Sequence, residues 1–208
     1  MQTPTGSKGH VLKTMALALA GMVLVFFAVG ALLVDSWHVE TSLTMKAPPA
    51  RLAELVGNFD AWEKWSAMKV TLGPQDQRQV TGAPGTVGHK VSWKGREGEA
   101  VLSLTKVDAD GVHYDYHSQR PGEAAMTLAG QGRVTWRIDG GATKVVWFDE
   151  SSWAQQPLMN RFAGRWIAWF GGIQERVRQI QTSSLQGLQR VAEEPEAAPV
   201  VAPQTAPK

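Results

Sequence analysis

The chain has 208 residues, no cysteine and a formal net charge of +2, from 21 Lys and Arg against 19 Asp and Glu. A charge this close to zero, spread along the chain, does not form the basic surface that nucleic acids require, so we expect no nucleic-acid partner. The absence of cysteine excludes disulfides, thiolate metal sites and a cysteine nucleophile.

An uncharged apolar run over residues 15–34 is the first feature of the chain. At about 1.5 Å per residue, a helix of this length spans the roughly 30 Å hydrocarbon core of a bilayer, which predicts a transmembrane anchor over 14–35. Lys8 and Lys13 precede the run, and lysines favour the cytoplasmic side, so residues 1–13 should form a cytoplasmic tail. The prediction is a single-pass protein of the cell membrane whose globular part lies outside the cytoplasm.

A cleavable secretory signal is the alternative interpretation of this run. The two lysines would then form its positive n-region, and Val29-Gly30-Ala31 would provide a cleavage site. The apolar stretch is longer than the roughly 7 to 15 residues that are usual in a signal peptide. Its length therefore favours the uncleaved anchor.

Alternating apolar and polar residues over 36–46 predict a first strand with one buried face. The Pro48-Pro49 pair suits the first turn of a short helix, and apolar residues at helical spacing continue it as far as Gly57. A second short helix should carry Trp62 and Trp65.

Strand-like segments then follow one another at hairpin spacing, separated by turns rich in glycine, proline and aspartate. This order indicates an antiparallel meander. The predicted strands are 67–72, 77–81, 86–94, 98–107, 111–118, 123–138 and 143–152.

The apolar period becomes helical again from Leu158 to Val191. We expect one long terminal helix, bent or broken at Gly171-Gly172 because each glycine weakens a helix by about 1 kcal/mol relative to alanine. Residues 193–208, rich in alanine, proline and valine, should be a disordered tail. A sheet and a helix that each have one apolar face bury those faces against each other. The predicted fold is therefore α+β, with a domain over 36–192 in which a curved antiparallel sheet wraps around the long C-terminal helix.

Four short motifs occur along the domain, namely Trp62-x-x-Trp65-Ser66, Gly85-x-x-Gly88, Thr143-Lys144-Val145-Val146-Trp147 and Gly187-Leu188. In these motifs, and in the order of its strands and helices, the chain resembles the START-like, helix-grip superfamily, in particular the polyketide cyclase/dehydrase-related (SRPBCC) branch. The resemblance implies a fold built around a cavity. Members of the superfamily bind lipids, sterols, polyketides and other hydrophobic molecules, and a minority catalyse cyclisation or dehydration.

Strand phase predicts which side chains would face such a cavity. Several aromatic residues share the phase of apolar neighbours, as Trp93 shares that of Val87 and Val91. A cavity lined by aromatic and aliphatic side chains with a few polar groups suits a small apolar molecule, although the same rings could fill a core. The residues expected to line it are Trp65, His89, Trp93, Tyr114, Tyr116, Trp136, Trp147, Phe162 and Trp166.

His89 and Asp149 share the inward phase and are candidates for acid–base chemistry. In the alternative interpretation, His89 bonds a backbone carbonyl and Asp149 lies in water at the open end of the sheet, so we assign no catalytic residue. His113, Asp115 and His117 project from one strand face and are candidate metal ligands. The polar face of an amphipathic strand explains that pattern equally well. We predict no metal and no cofactor. The sequence has no His-Glu-x-x-His zinc motif, no Walker phosphate loop and no Gly-x-Ser-x-Gly nucleophile elbow.

Two functions follow from this sequence. The first is a membrane-anchored protein that holds a small hydrophobic molecule or lipid in a helix-grip cavity, close to a bilayer reservoir. The second is a cyclase/dehydrase-type enzyme acting on an apolar substrate in the same cavity. The lack of a catalytic motif favours the first and leaves enzyme activity open. The expected partners are the ligand and the membrane, contacted through 15–34, and the sequence indicates no particular protein partner.

Overall fold

The computed structural model describes residues 7–68, 77–96, 98–119 and 127–194. Its first element, helix α1, covers Ser7–Leu32, and the segment His10–Leu32 is long and apolar enough to cross a membrane. The large apolar side chains of this segment are exposed rather than buried in a core. Of the tail expected over 1–13, residues 1–6 lie outside the described residues and the remainder belongs to α1.

Among the described residues, seven strands form one antiparallel sheet in the order β1-β7-β6-β5-β4-β3-β2. The strands from β2 to β7 form the predicted meander, and β1 pairs with β7. The predicted α+β helix-grip fold is confirmed. The strands are β1 (Ser36–Met45), β2 (Gln77–Thr81), β3 (Lys90–Gly95), β4 (Gly98–Asp108), β5 (Gly111–Gln119), β6 (Thr127–Asp139) and β7 (Ala142–Ser152).

Two short helices follow β1, as the sequence predicted: α2 is Pro49–Val56 and α3 is Trp62–Trp65. Proline is favourable in the first turn of α2 because the N–H that it lacks would have no partner within the helix. The indole N–H groups of Trp62 and Trp65 donate to backbone carbonyls at the end of α2, at 2.8 and 3.1 Å. These two bonds fix α3 against α2.

Two of the predicted strands differ from the structure. Residues 69–72 of the strand expected over 67–72 lie outside the described residues, and residues 67 and 68 are not in a strand. The strand expected over 86–94 begins only with β3. Gly85 and Gly88 have φ angles of 69° and 88°, which shape a turn before that strand. Val87, expected to face inwards, is therefore exposed.

The strand register defines a concave face, because directly opposed residues of antiparallel strands point to the same side of a sheet. Asp149 of β7 lies opposite Val39 of β1 and Gly132 of β6, and Gly132 in turn lies opposite Tyr114 of β5. The same side carries the buried side chains of Val134, Val145, Trp147, Leu102, Leu104 and Val91.

The terminal helix is two helices, α4 (Leu158–Phe170) and α5 (Ile173–Glu193). They are separated at Gly171-Gly172, as predicted, and Gly172 adopts a left-handed φ of 59°. The expectation of one apolar stripe packed on the sheet is wrong for α4, which packs against α1. The helix that the sheet grips is α5, whose buried residues are Gln181, Ser184, Leu185, Gly187, Leu188 and Ala192.

Close packing between α3 and α5 depends on Gly187. A Cβ atom at this position would lie 2.1 Å from the carbonyl oxygen of Trp65, which is a backbone atom and cannot rotate away. The gripped helix therefore lies as near to α3 as its backbone allows.

We expect Gly187→Ala to destabilise the domain. In an exposed helix this change stabilises by up to about 1 kcal/mol, but here the added methyl overpacks the contact with Trp65, which typically costs about 1 to 3 kcal/mol. Urea unfolding of the full chain in detergent, followed by tryptophan fluorescence, measures the effect. Gln186→Ala, at the exposed neighbouring position, is the control and should change stability little. Equal stability of the two variants would contradict the close contact.

Candidate functional site

Two glycines of β6 open the middle of the concave face. A Cβ atom at Gly132 would lie 2.2 Å from Asp149 Oδ1 and 2.4 Å from the Tyr114 ring, and one at Gly130 would lie 2.4 Å from the Tyr116 hydroxyl. Because β6 has no side chain at these positions, the tyrosines of β5 extend across it towards β7. Polar groups from β5 and β7 therefore meet above the glycines.

Asp149 is the centre of a buried hydrogen-bond network. The Tyr114 hydroxyl donates to its Oδ1 at 2.5 Å, and Gln181 Nε2 of α5 donates to its Oδ2 at 2.8 Å. Further out, Trp147 Nε1 donates to the Tyr114 hydroxyl at 2.7 Å, and Thr41 donates to Gln181 Oε1 at 2.7 Å. Two residues donate directly to the carboxyl group, and the two outer residues donate to those two. All four hydrogen bonds are therefore directed towards the Asp149 carboxyl group.

The network lies in a region of low polarity. Asp149 is 6% exposed, and Tyr114 and Gln181 are 1% exposed. Burial raises the pKa of Asp149 above its ordinary value, although the hydrogen bonds from Tyr114 and Gln181 oppose this shift. Burial, followed by the nearby Asp149 charge, also raises the pKa values of Tyr114 and Tyr116. Both phenols therefore remain protonated and act as hydrogen-bond donors at neutral pH.

Beside this network, the concave face is filled by aromatic rings. Trp62 contacts Tyr114 and Trp147 with ring centroids 5.8 and 5.7 Å apart, and Trp65 contacts Trp147 at 5.9 Å. These four side chains are buried, as is Trp136 of β6. Expected cavity residues Trp65, Tyr114, Trp136 and Trp147 thus belong to the packed core.

Two other expected residues, Trp93 and Tyr116, lie on the concave face but are only half-buried. The register places Trp93 opposite Ala100 and Tyr116 opposite Leu102 and Gly130. One directly opposed neighbour of each ring, Ala100 or Gly130, is therefore small, in contrast to the filled region around Trp147. This part of the concave face combines apolar surface with the polar groups next to Asp149.

His89 makes contacts that hold the backbone in place. Its Nε2 accepts from the backbone N–H of Phe59 at 3.1 Å, and its Nδ1 lies 3.1 Å from the carbonyl oxygen of Gly82, to which it donates in the matching tautomer. The imidazole also stacks on the Phe59 ring, with centroids 5.0 Å apart. Both ring nitrogens are therefore occupied, and within the described residues His89 shares no hydrogen-bond partner with Asp149.

The alternative that His89 bonds a backbone carbonyl agrees with this geometry. The alternative for Asp149 does not, because the carboxyl group is buried under α5 rather than exposed to water at the end of the sheet. The two candidates are thus in separate environments.

Phe162 and Trp166 do not lie with the other expected cavity residues. Both are on α4 and contact α1: Trp166 stacks on Phe26 at 4.6 Å and Phe162 stacks on Phe27 at 5.0 Å. The error came from treating Leu158 to Val191 as one stripe, since the break before α5 turns the apolar side of α4 away from the sheet.

The candidate metal ligands do not converge. Asp115 and His117 are exposed, and His113 is half-buried on the convex face of β5. In the part of the chain that the structure describes, no three His, Asp or Glu side chains come together as a metal site. Alternate residues of a strand lie about 6 to 7 Å apart, and here neighbouring strands add no completing ligand. Asp115 and His117 instead line an open groove of about 690 Å³ together with His38, Gln131 and Glu150.

Sequence reasoning missed Gln181, Thr41 and Gly132. Gln181 is a polar residue at a position where the helical period requires burial, and Gly132 interrupts the inward phase of β6. Either signal indicates an unusual position, but neither identifies Asp149 as the partner.

Comparison with known proteins agrees with the observed helix-grip fold. A family model described as "Polyketide cyclase / dehydrase and lipid transport" matches residues 36–193. The hypothetical protein jhp0584 from Helicobacter pylori is similar in structure, with a TM-score of 0.54 and 7% identity over 76% of this chain and 89% of that one. Protein MLL2253 from Mesorhizobium loti has a TM-score of 0.51 and 13% identity over 77% of this chain and 100% of that one.

This chain also matches DynU16, a protein in the dynemicin biosynthetic locus, with a TM-score of 0.48 and 15% identity. The match covers 76% of this chain but only 47% of DynU16. No curated protein matches the sequence.

The buried carboxyl group gives a pH-dependent prediction. The unfolded chain releases the Asp149 proton near pH 3.8, the ordinary pKa of an aspartate, whereas the folded chain retains the proton to higher pH because burial raises its pKa. The folded state therefore binds more protons above pH 4, and the wild-type protein should lose stability relative to Asp149→Asn as the pH rises from about 4 to 7.

Urea unfolding of both proteins across this range measures the difference in unfolding free energy. Asp115→Asn, which removes an exposed carboxyl group from β5, controls for the general effect of losing one negative charge. A wild-type advantage that grows with pH would contradict the raised pKa.

Proposed function

Because this chain belongs to the polyketide cyclase/dehydrase and lipid transport family, we propose that it is a membrane-tethered protein that binds a small hydrophobic molecule or lipid on its concave face. The tether is the segment over 14–35, and the binding domain extends over 36–192. The tether keeps the binding site close to the bilayer, where apolar molecules are concentrated.

The observation that carries this proposal is the incomplete cover of Trp93 and Tyr116. Both rings lie on the concave face, yet both remain half-buried, whereas Trp147 and Tyr114 on the same face are fully enclosed. Binding sites for small molecules are concave and mainly apolar, with a few polar groups that orient the ligand. The Tyr116 hydroxyl, which donates to the Glu150 carbonyl at 3.1 Å, and Ser151, which lies beside it on β7, provide such groups.

The proposed topology has the N-terminus in the cytoplasm and the domain outside. Lys8 and Lys13 precede the apolar segment, and Asp35 follows it. A lysine excess on one flank of a membrane span favours retention of that flank in the cytoplasm.

A cyclase/dehydrase-type enzyme is the second candidate, and the Asp149–Tyr114 pair favours it. A buried carboxyl group with a raised pKa, hydrogen-bonded to a protonated phenol, is a form of general acid or base that enzymes use. Both groups, however, are buried and hydrogen-bonded to other protein side chains rather than to a ligand-facing group. Binding without conversion is therefore the better supported function.

We predict that filling the space beside Trp93 abolishes ligand binding. Ala100→Leu adds three carbon atoms of apolar volume directly opposite Trp93, whereas Ser103→Leu adds a comparable volume to the other side of the same strand and serves as the matched control. Native mass spectrometry of the detergent-solubilised full chain, incubated with a lipid extract, should show a bound species for the wild type and Ser103→Leu but not for Ala100→Leu.

Absence of any bound species in the wild type, or equal binding by both variants, would contradict this site. Chemical conversion of the bound molecule by the wild type, lost in Asp149→Asn while binding persists, would favour the enzyme instead.

We also predict the orientation of the tether. A reporter that fluoresces only in the cytoplasm, fused after Lys208, should remain dark, and exchange of Lys8 and Lys13 for glutamate should allow a fraction of the chains to invert and fluoresce. A bright fusion of the unaltered chain would contradict the proposed topology. A shortened soluble domain that begins near Leu32 would indicate cleavage of the apolar segment.

A further inference from the structure

We propose that α4 is a second membrane-contacting element, which lies beside α1 at the membrane–water interface with its apolar side chains in contact with lipid. This inference rests on the proposed tether, because α1 defines where the bilayer would be. With this second element, the domain would contact the bilayer through two helices, α1 and α4, and would therefore be held in one orientation.

The first observation is the aromatic contact between α1 and α4. Trp166 and Phe26 stack with an interplanar angle of 3°, and Phe162 contacts both Phe26 and Phe27 with centroids 5.3 and 5.0 Å apart. Gly30 allows this approach, since a Cβ atom there would lie 2.2 Å from the Phe162 ring. The centre of the apolar side of α4 is thus joined to the last turns of the segment that is able to span a membrane.

Hydrogen bonds and ion pairs from Arg161 and Arg165 to the end of α1 and to Asp35, called here the polar clasp, fix the level at which the two helices meet. Arg161 and Arg165 both pair with Asp35, three residues beyond the end of α1. Arg165 Nη1 also donates to the carbonyl oxygens of Gly30 and Ala31 at 3.0 and 3.2 Å, which lack partners within a helix that ends at Leu32. The side of α4 that carries the two arginines therefore lies level with the polar end of the span.

From this clasp, the aromatic side of α4 faces the apolar part of α1. Arg161 and Arg165, one turn apart, both pair with Asp35, whereas Phe162 and Trp166, also one turn apart, both contact Phe26. The arginine side of α4 therefore lies towards the polar end of the span, and its aromatic side lies towards residues that the tether places in lipid. Phe170, which stacks on Trp166 at 5.3 Å, belongs to the aromatic side.

The apolar surface of α4 is wider than its contact with α1. Met159 and Phe170, on one flank of the contact, are 67% and 74% exposed, and Trp169, on the other flank, is 66% exposed. Exposed apolar residues grouped on one helix indicate an interaction surface. Since α1 covers only the middle of this surface, its flanks meet the same surroundings as the side chains of α1.

The chemistry of these flanks suits an interface with lipid. Tryptophan is enriched at the boundary between headgroups and acyl chains, and arginine places its charge among headgroups while its stem stays apolar. An amphipathic helix with this composition lies along a membrane surface. After the glycine break, exposed Gln174, Glu175 and Arg176 begin α5, which returns the chain to water.

The opposite side of α4 connects this contact to the domain. Gly164 faces the indole of Trp153, and a Cβ atom at this glycine would lie 2.5 Å from that ring. Trp153 directly follows β7, the strand that carries Asp149. A bilayer in contact with α4 thus holds the sheet at a defined orientation.

Because the chain has no cysteine, single cysteines can report the surroundings of each helix. The full chain, at one copy per phosphatidylcholine/phosphatidylglycerol nanodisc, is labelled with an environment-sensitive nitrobenzoxadiazole dye at Phe170→Cys, Val23→Cys or Gln174→Cys. Lipids that carry a nitroxide are then added. We expect blue-shifted emission and loss of fluorescence on nitroxide addition for positions 170 and 23, with little change at position 174. Met159→Cys provides a second exposed position on α4 and should behave like position 170.

The outcomes separate α4 from the tether. Quenching at position 23 without quenching at positions 159 and 170 overturns the role of α4 and leaves the tether intact. Quenching at positions 159 and 170 but not 23 retains the contact of α4 and overturns the tether. Blue-shifted emission at 159 and 170 without nitroxide quenching means that another part of the same chain covers the surface, and it also overturns the proposal.

Discussion

Burial of the Asp149 carboxyl group beneath α5 is the constraint on which the arrangement of the concave face depends. A carboxyl group removed from water is strongly unfavourable unless hydrogen bonds satisfy it. Tyr114 and Gln181 provide those bonds from β5 and α5, respectively. Both donors must reach the same group, so the strand register, the missing side chain at Gly132 and the rotation of α5 about its axis are fixed together. Hydrogen bonds to a charged group contribute about 1.5 to 3 kcal/mol each, whereas losing one leaves an unsatisfied buried atom.

This network also divides the concave face into two regions. On one side, Trp62, Trp65 and Trp147 fill the space between the sheet and the helices with rings in mutual contact. On the other, Trp93 and Tyr116 lie opposite Ala100 and Gly130 and stay half-buried. The filled region provides the stability of the domain, since removing a buried tryptophan side chain typically costs about 3 to 5 kcal/mol. The region around Trp93 is packed less closely, and it is there that we propose the ligand binds.

The sequence predicted the elements better than their contacts. Alternation over 36–46 and the turns between later strands indicated the meander because a strand period is a local property. The turn at Gly85 to Gly88 was mistaken for strand because Val87 fits the alternation, while the positive φ angles that prevent pairing are not visible in a sequence. The inward phase of Asp149 was deduced correctly. Its partner Gln181 is 32 residues away on a helix whose rotation depends on the whole core, so no local pattern could pair them.

Phe162 and Trp166 were expected in the cavity but lie on α4 against α1, and this difference shows how the N-terminal helix is connected to the domain. Their helical spacing continues into α5, and only the change of direction at Gly172 assigns the two stripes to different partners. The stripe of α5 meets the sheet, while that of α4 meets α1. Between them, Trp153 rests on Gly164 at the end of β7. The strand that holds the buried carboxyl group is therefore also the strand that receives α4, so the contact with lipid that we propose for α4 would be connected directly to the strand that carries Asp149.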